Sequence, residues 1–413
     1  MTRRPIPASF VPAPVTNSRT ANITSEDSGP TVGVEEEFFL VAPTADRLTE
    51  SNDLVVTSAR QLGARIDYEL KRIQIEVDTP VCRTATDLRA HILAGRAAAA
   101  AVALQHRMGV LASGASPTVQ RLAAVTDLAR YRTMADRYGR LVAEQEVCGC
   151  HVHVGVADPE IAIQVCNHVR LWLPILLAST ANSPLHRGHD TGYASWRSII
   201  AGRWPCSGPP PRFTSAAHYD TVVAMMIDSG NILDVGMVYW DVRPSAHLPT
   251  VEVRVSDVPA SADETILLAT IVRALVATCE RQVRAGVPAP PVTDEVLRAA
   301  YLCAAREGAT GRAIDVFTGR TTTARHAFRG LLRYIRPQLE DTGDYRRTLK
   351  MSAKVFDRGT GAVLQRRAFE RRHDTADVVD ALTRQFVAEP WTHTLSGGTR
   401  QAPDAHPSRS TNA

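Results

Sequence analysis

The chain has 413 residues, of which 44% are hydrophobic and 22% charged, with 47 basic against 43 acidic side chains and a formal charge of +4. That suffices for a large core in one big domain or two moderate ones. The arginines are scattered, with no run of five or six like charges, so a nucleic-acid arm is excluded and no nucleic-acid partner is expected. The longest apolar runs, LWLPILLA and TILLATIVRALVAT, are too short to span a bilayer and contain Pro174 and Arg273, so no membrane partner is expected either. Seven cysteines, an odd number in a chain too long to need disulfide staples, suit a reducing cytoplasm. The N-terminal stretch lacks the apolar middle of a secretory signal.

Residues 1–29 and 391–413 are rich in small polar residues and Pro with little periodicity, so they read as disordered tails around one folded region, 30–390. TVGVEEEFFLVA predicts a strand, 52–62 a helix, RIDYELKRIQIEV two short strands, and 84–106 a long alanine-rich helix. MGVLASG predicts another strand, and a helix ends near Gly139. EVCGCHVHVGV alternates as a strand, and DPEIAIQVCNHVRLWLPILLA opens on an Asp cap and continues as one buried helix. Residues 181–213 form a long irregular stretch, the kind that is usually functional. MVYWDVR and TVEVRV are strands, and 262–388 is nearly all helical. The expected fold class is α+β, a mostly antiparallel sheet with helices on one side and a helical C-terminal part.

Four strands carry the chemistry. In Gly33-Val34-Glu35-Glu36-Glu37-Phe38, an extended backbone sends Glu35 and Glu37 to one face and Glu36 to the other. Adjacent like charges on one strand face repel, which leaves two readings: a solvated acidic edge or a cation between the carboxylates. Gln74, Glu76 and Asp78 share a face of the next acidic strand, with Glu69 just upstream. His151 and His153 share a face of the third strand, and Glu252 and Arg254 share one of the fourth. Each element alone has a structural reading, a sheet-edge hydrogen bond or a salt bridge. Four together make the donor set of a hard divalent cation held mainly by carboxylates, with arginines left for phosphate. Cys148 and Cys150 lack a second cysteine pair, HExxH is absent, and so are the GxxxxGK[ST] and GxGxxG phosphate motifs.

In the same order, GVEEEF, CGCHVHVG, NSPLHRGHDTGYAS-RS, YWDVRPS and PTVEVRVSD resemble the YbdK-type carboxylate-amine ligases, the glutamate-cysteine ligase type 2 family, over about 31–388. Their kinship with glutamine synthetase implies a curved, mostly antiparallel sheet forming a funnel for ATP, two or three magnesium (or manganese) ions and an acceptor carboxylate. By motif, the resemblance implies Glu35, Glu37, Glu76, His151 and Glu252 as metal ligands and a catalytic role for Arg254 and Glu76. It further implies Arg254, Arg243, His153 and Arg203 as ATP or phosphate contacts, and Asn182, Ser183, Thr191, Tyr193 and Arg197 around the amino-acid substrate. Gly359-Thr360-Gly361-Ala362 with Gln365 and Arg366 reads as a helix cap with a packing role. Ser116, Ala42 and His186 depart from the family pattern and bear on substrate identity rather than on the metal set.

The implied reaction is ATP-dependent: a carboxylate attacks the γ-phosphate to give an acyl phosphate, and an amine displaces phosphate to form an amide, with Asp78 or Glu69 as base. The partners are a small-molecule acid and amine, by default glutamate and cysteine, and a homo-oligomer is expected by analogy. The competing readings are a specialised amide synthase, a phosphagen-type kinase and a non-catalytic nucleotide- or metabolite-binding homologue.

Overall fold

The computed structural model of the chain describes residues 29–391 apart from 43, 45 and 46. Except for their innermost residues, the tails expected over 1–29 and 391–413 lie outside the described residues. The strands are β1 Val32–Val41, β2 Ile66–Tyr68, β3 Gln74–Asp78, β4 Gly109–Leu111, β5 Gly149–Gly155, β6 Leu185–His186, β7 His189–Asp190, β8 Val242–Pro244, β9 Thr250–Asp257, β10 Arg312–Asp315 and β11 Arg320–Thr323. Seven of them form one sheet in the order β2-β3-β1-β5-β9-β8, with β4 on β1, and every pairing is antiparallel.

Alternation along β1 fixes the register. Val34, Glu36, Phe38 and Leu40 are buried on the helix-covered face; a one-residue slip would put Glu35 and Glu37 into that core. On this side Phe38, Ile75 and Val77 pack with Ala99 and Val102 of the helix Ala85–Gln105. Val152, Val154, Val251 and Val253 pack with Ile266 and Val272 of the helix Ala262–Arg284. Each such side chain contributes about 1.5–3 kcal/mol when fully buried. Thr84 caps the first helix by accepting from Asp87 N–H at 3.0 Å, and Ser261 caps the second.

Three expectations differ locally. The helix opened by Asp158 runs only over Pro159–Val169, and a second, Leu173–Thr180, follows at 65°. Pro174 lies in the first turn of the second helix, where its missing N–H is tolerated, and so starts a new helix rather than continuing the old one. The C-terminal part is not purely helical, because β10 and β11 form a hairpin before the helix Ala324–Asp341. Its RTTT strand is short and mostly exposed, with little apolar pattern to announce it. The stretch 181–213 is not wholly irregular either: it holds the β6–β7 hairpin and the helix Trp196–Ala201.

No single helix among the described residues is long and apolar enough to cross a membrane. The seven cysteines are all free thiols.

Candidate active site

The pairing register turns sequence spacing into a site. Glu37 lies opposite Glu76, and Glu35 lies between Asp78 and His151. His153 lies between Gly33 and Glu252, and Glu252 in turn lies opposite Arg243. Between Cys150 and Val152 the register with β9 shifts, so that Arg254 and Val255 face His151. Such a bulge re-aims side chains, and Arg254 points into the cavity on this face.

That cavity, about 200 Å³ and open to solvent, is lined by the carboxylates Glu35, Glu37, Glu69, Glu76 and Asp241 together with Gln74, His151, Arg130, Arg197 and Arg254. Tyr131, Tyr239 and Trp204 complete its wall.

Cationic partners are short in supply there. Arg130 is committed to Asp234, at 2.9 and 3.0 Å. Arg254 and Arg243 both bind Glu252, Arg243 at 2.9 Å. Arg197 donates to the carbonyls of Arg254 and Val255. It lies so close to β5 that a Cβ at Gly149 would meet its guanidinium and push it aside. Among the described residues, none of the five lining carboxylates has an ion pair with arginine or lysine. Glu35 meets the imidazoles of His151 (3.0 Å) and His153 (3.2 Å), and Glu37 accepts from Gly149 N–H at 2.6 Å.

Titration follows this imbalance. Burial and then the neighbouring Glu37 push Glu69 up to about 8. Burial and the charges of Glu35, Glu69 and Glu37 hold Glu76 well above the usual carboxylate range. Burial raises Asp241 to about 6 against the pull of Arg197. For Glu35 burial is outweighed by hydrogen bonds to His151 and His153, and for Glu252 by Arg254 and Arg243, so both carboxyls stay below the usual range. Burial and then Arg254 lower His151, which favours the neutral imidazole that a metal needs.

The donor set fits divalent cations. Glu35, His151 and Glu252 can place one ligand atom each within 4.8 Å of one another, and so can Glu37, Glu76 and His151. His151 Nε2 is buried without a hydrogen-bond partner, 3.4 Å from Glu37 Oε1. Carboxylates with one imidazole suit magnesium or manganese.

Several expected residues go elsewhere. Asn182 is fully buried behind the sheet, donating to the carbonyls of Ala112 (2.9 Å) and Val258 (2.8 Å). Ser183 donates to Asp257 at 2.6 Å, Thr191 to the Pro184 carbonyl at 2.9 Å, and Tyr193 packs on Trp196. None of these four lines the cavity, because their polar groups serve the loop that carries them. Gln365 binds Asn182 Oδ1 at 2.8 Å and Arg366 binds Asp190 at 2.8 Å, so the GTGA-QR segment clamps the same loop, a packing role as expected.

Arg203 is also outside, half-exposed and paired with Glu144 at 2.6 Å. With His186 and Arg187 it borders a separate cavity of about 250 Å³. Asp78 pairs with Arg65 and does not line the main cavity, whereas Glu69 does. Sequence reasoning missed Arg130 and Tyr131, which begin the helix Ala129–Tyr138 and reach the cavity only through the fold. It passed over Asp241 within YWDVR, where an acid beside apolar strand residues was a usable signal.

Carboxylates without arginine partners among the described residues, an imidazole and arginines on one cavity wall make a donor set suited to divalent cations and phosphate, the requirements of an ATP-dependent carboxylate-amine ligase. A sequence model described as glutamate-cysteine ligase family 2 matches residues 31–385, and the chain belongs to that family. It is 46% identical over 363 residues to a protein of Mycolicibacterium smegmatis provisionally named glutamate–cysteine ligase 2-3, covering 88% of this chain and 100% of that one. With the similarly named 2-1 protein of Nocardia farcinica it is 48% identical over 353 residues, 86% of this chain and 92% of that one.

Solved structures agree on the fold at 14% identity. The glutamate–cysteine ligase of Francisella tularensis superposes with a TM-score of 0.65 over 87% of this chain and 89% of that one. A bifunctional glutathione synthetase of Pasteurella multocida gives 0.64 over 88% of this chain, which spans about half (53%) of that longer protein.

Proposed function

We propose that this ligase activates the carboxylate of a small amino acid with ATP inside the carboxylate-lined cavity and joins it to a small amine, with glutamate and cysteine, the substrates in its relatives' names, as first candidates. The observation that carries the reading is the surplus of part-buried carboxylates on one sheet face, without arginine partners among the described residues. Glu35, Glu37, Glu76, His151 and Glu252 would hold the cations. Bound magnesium or manganese would offset charge on the transferring phosphoryl group.

The rest falls to the chain's own side chains. An enclosed volume of about 200 Å³ suits the phosphate end of the nucleotide, leaving its base toward the opening. Arg254, held by Glu252, presents its guanidinium to phosphoryl oxygens, and its planar fork suits bidentate contact. Arg197 supplies a second cation on the same wall, for the substrate carboxylate or phosphate. His153, fixed by Thr250 at 3.1 Å, orients Glu35. Glu69, part-buried on the cavity wall, takes the proton from the incoming ammonium as its carboxylate, the form that bound cations would favour. Asn182, Ser183, Thr191 and Tyr193 support the loop behind this wall and act on substrate only through it. Arg203, paired with Glu144 at a separate cavity, takes no part in this reaction.

The test is ADP release screened over acids and amines, with mass spectrometry of the products. An amide formed only when acid, amine, ATP and divalent cation are all present supports the reading. ADP release without an amine, accompanied by a stable phosphorylated product, would instead mark a kinase.

A further inference from the structure

On the helical half lies a second cavity, of about 220 Å³, that shares no lining residue with the ligase site. Its walls come from three elements: the turn at Leu171–Ile175, the β10–β11 hairpin and the helix Ala324–Asp341. Trp172 forms one side, its ring stacked on Tyr334 at 5.0 Å and tilted against Phe317 at 5.0 Å. Phe317, at the tip of the hairpin, is 46% exposed. Together these aromatic side chains give the cleft a mostly apolar wall that opens to solvent at Phe317.

Gly330 supplies a second, independent observation. It lies inside the helix Ala324–Asp341 and lines the cavity, and a Cβ added there would meet nothing within 4 Å. Glycine in a helix interior is destabilising relative to alanine, and no neighbour here demands it. Its effect is to keep the floor of the cleft open.

The rim carries one acid and one arginine. Asp315, the single acid of the lining, accepts from Phe317 N–H at 2.9 Å within its own hairpin. Arg333 is exposed at the rim and has neither an ion pair nor a hydrogen bond among the described residues. His326 lines the cleft two turns earlier on the same helix.

We infer that this cleft is a binding site, distinct from the ligase cavity, for a small carboxylate with a single-ring or branched apolar body. The body would rest between Trp172 and the open floor at Gly330, with the carboxylate at Arg333. About seven water volumes is room for one ring and a short acid arm. Mostly apolar walls with a few convergent polar groups are the usual form of such sites.

The experiment is calorimetric titration of the full-length protein with phenylacetate, with benzylamine as the charge-reversed control and with the Gly330→Leu and Arg333→Gln variants. Phenylacetate is expected to bind once per chain and benzylamine about tenfold more weakly or not at all. Arg333→Gln should weaken phenylacetate by about tenfold or more. Gly330→Leu, which fills the floor, should abolish binding while melting and ADP release stay at wild-type values. No phenylacetate binding at millimolar concentration, undiminished binding to Gly330→Leu, or equal binding of benzylamine would each overturn the site. So would a chain dimer that Phe317→Ser dissociates, with no phenylacetate bound to either form, since a second copy would then be the occupant.

Discussion

Three consecutive glutamates in β1 meet opposite fates. Glu36 points to the helices, where Arg96 grips it at 2.6 and 3.1 Å and Thr265 donates to it at 2.6 Å, with both charges almost fully buried. Glu35 and Glu37 point to the cavity, where Glu76 and Glu69 add two more carboxyls and no arginine or lysine pairs with any of the four among the described residues. The helix side is a closed account of charge, complete within the protein. The cavity side is complete only with something positive that the described residues do not supply. A buried acid paired in the core is structure; buried acids left in surplus beside a cavity are a site.

The sharpest way to break this contrast is to neutralise one acid on the cavity side. Glu37→Gln is expected to abolish ADP release, because a metal ligand is lost, while the metal-free protein melts no lower than wild type, because repulsion with Glu76 is relieved. Steady-state ADP release together with thermal melting decides it. Wild-type turnover in this variant would remove the metal reading.

On the other face the loss should fall on folding. Arg96→Met leaves Glu36 buried and unpaired and should cost about 3–5 kcal/mol in chemical denaturation. A cost under about 1 kcal/mol would mean that Glu36 escapes to water or takes up a proton cheaply.

Arg254→Lys keeps a charge beside Glu252 but loses the planar fork. With kcat expected to fall on the order of a hundredfold at saturating ATP and magnesium, the contribution is about 2.7 kcal/mol. A change within about threefold, less than 1 kcal/mol, would reduce Arg254 to a partner of Glu252.

Solution pH sharpens the same contrast. Glu69 titrates at about 8 in the fold against an ordinary 4.5, so the folded state holds its proton more tightly than the unfolded chain. Its contribution to stability is therefore present below the ordinary value and is lost as pH rises through about 8. Glu35 and Glu252, held low, contribute in the opposite sense and are lost on acidification. Magnesium should thus raise the Tm most on the alkaline side, where Glu69 is ionised; a Tm gain that does not grow as pH rises through about 8 would contradict the coupling.

The smallest effect is expected at Arg203, which is half-exposed and paired with Glu144 outside the cavity. Arg203→Ala should change stability by no more than about 0.5–1 kcal/mol and leave turnover close to wild type. A large kcat loss would return it to the phosphate contacts.

Strand residues were the readable part of this molecule. Alternation assigns Glu35, Glu37, Glu76, His151, His153, Glu252 and Arg254 to faces without any knowledge of the fold, because side-chain direction has a period of two. Antiparallel pairing then puts those faces together. Loop residues have no such rule. Asn182, Ser183, Thr191 and Tyr193 sit in a motif dense in polar groups, yet those groups satisfy buried carbonyls and Asp257, and the sequence cannot tell a side chain that binds a ligand from one that ties down its own loop. Arg130 and Tyr131 were invisible for a related reason: the start of an ordinary helix reaches the cavity only by tertiary packing. The break before Pro174 was legible in principle, since proline is at home in a first helical turn and not in a helix interior.

Direct cation binding tests the contrast between the two faces of β1 without relying on catalysis. Manganese would be titrated into the nucleotide-free, full-length protein and followed by electron paramagnetic resonance, comparing wild type with Glu37→Gln and with Glu144→Gln, whose acid lies outside the cavity. The account predicts that wild type and Glu144→Gln bind manganese alike and that Glu37→Gln binds it about tenfold more weakly or worse. Equal binding by all three proteins, or none by wild type, would contradict it.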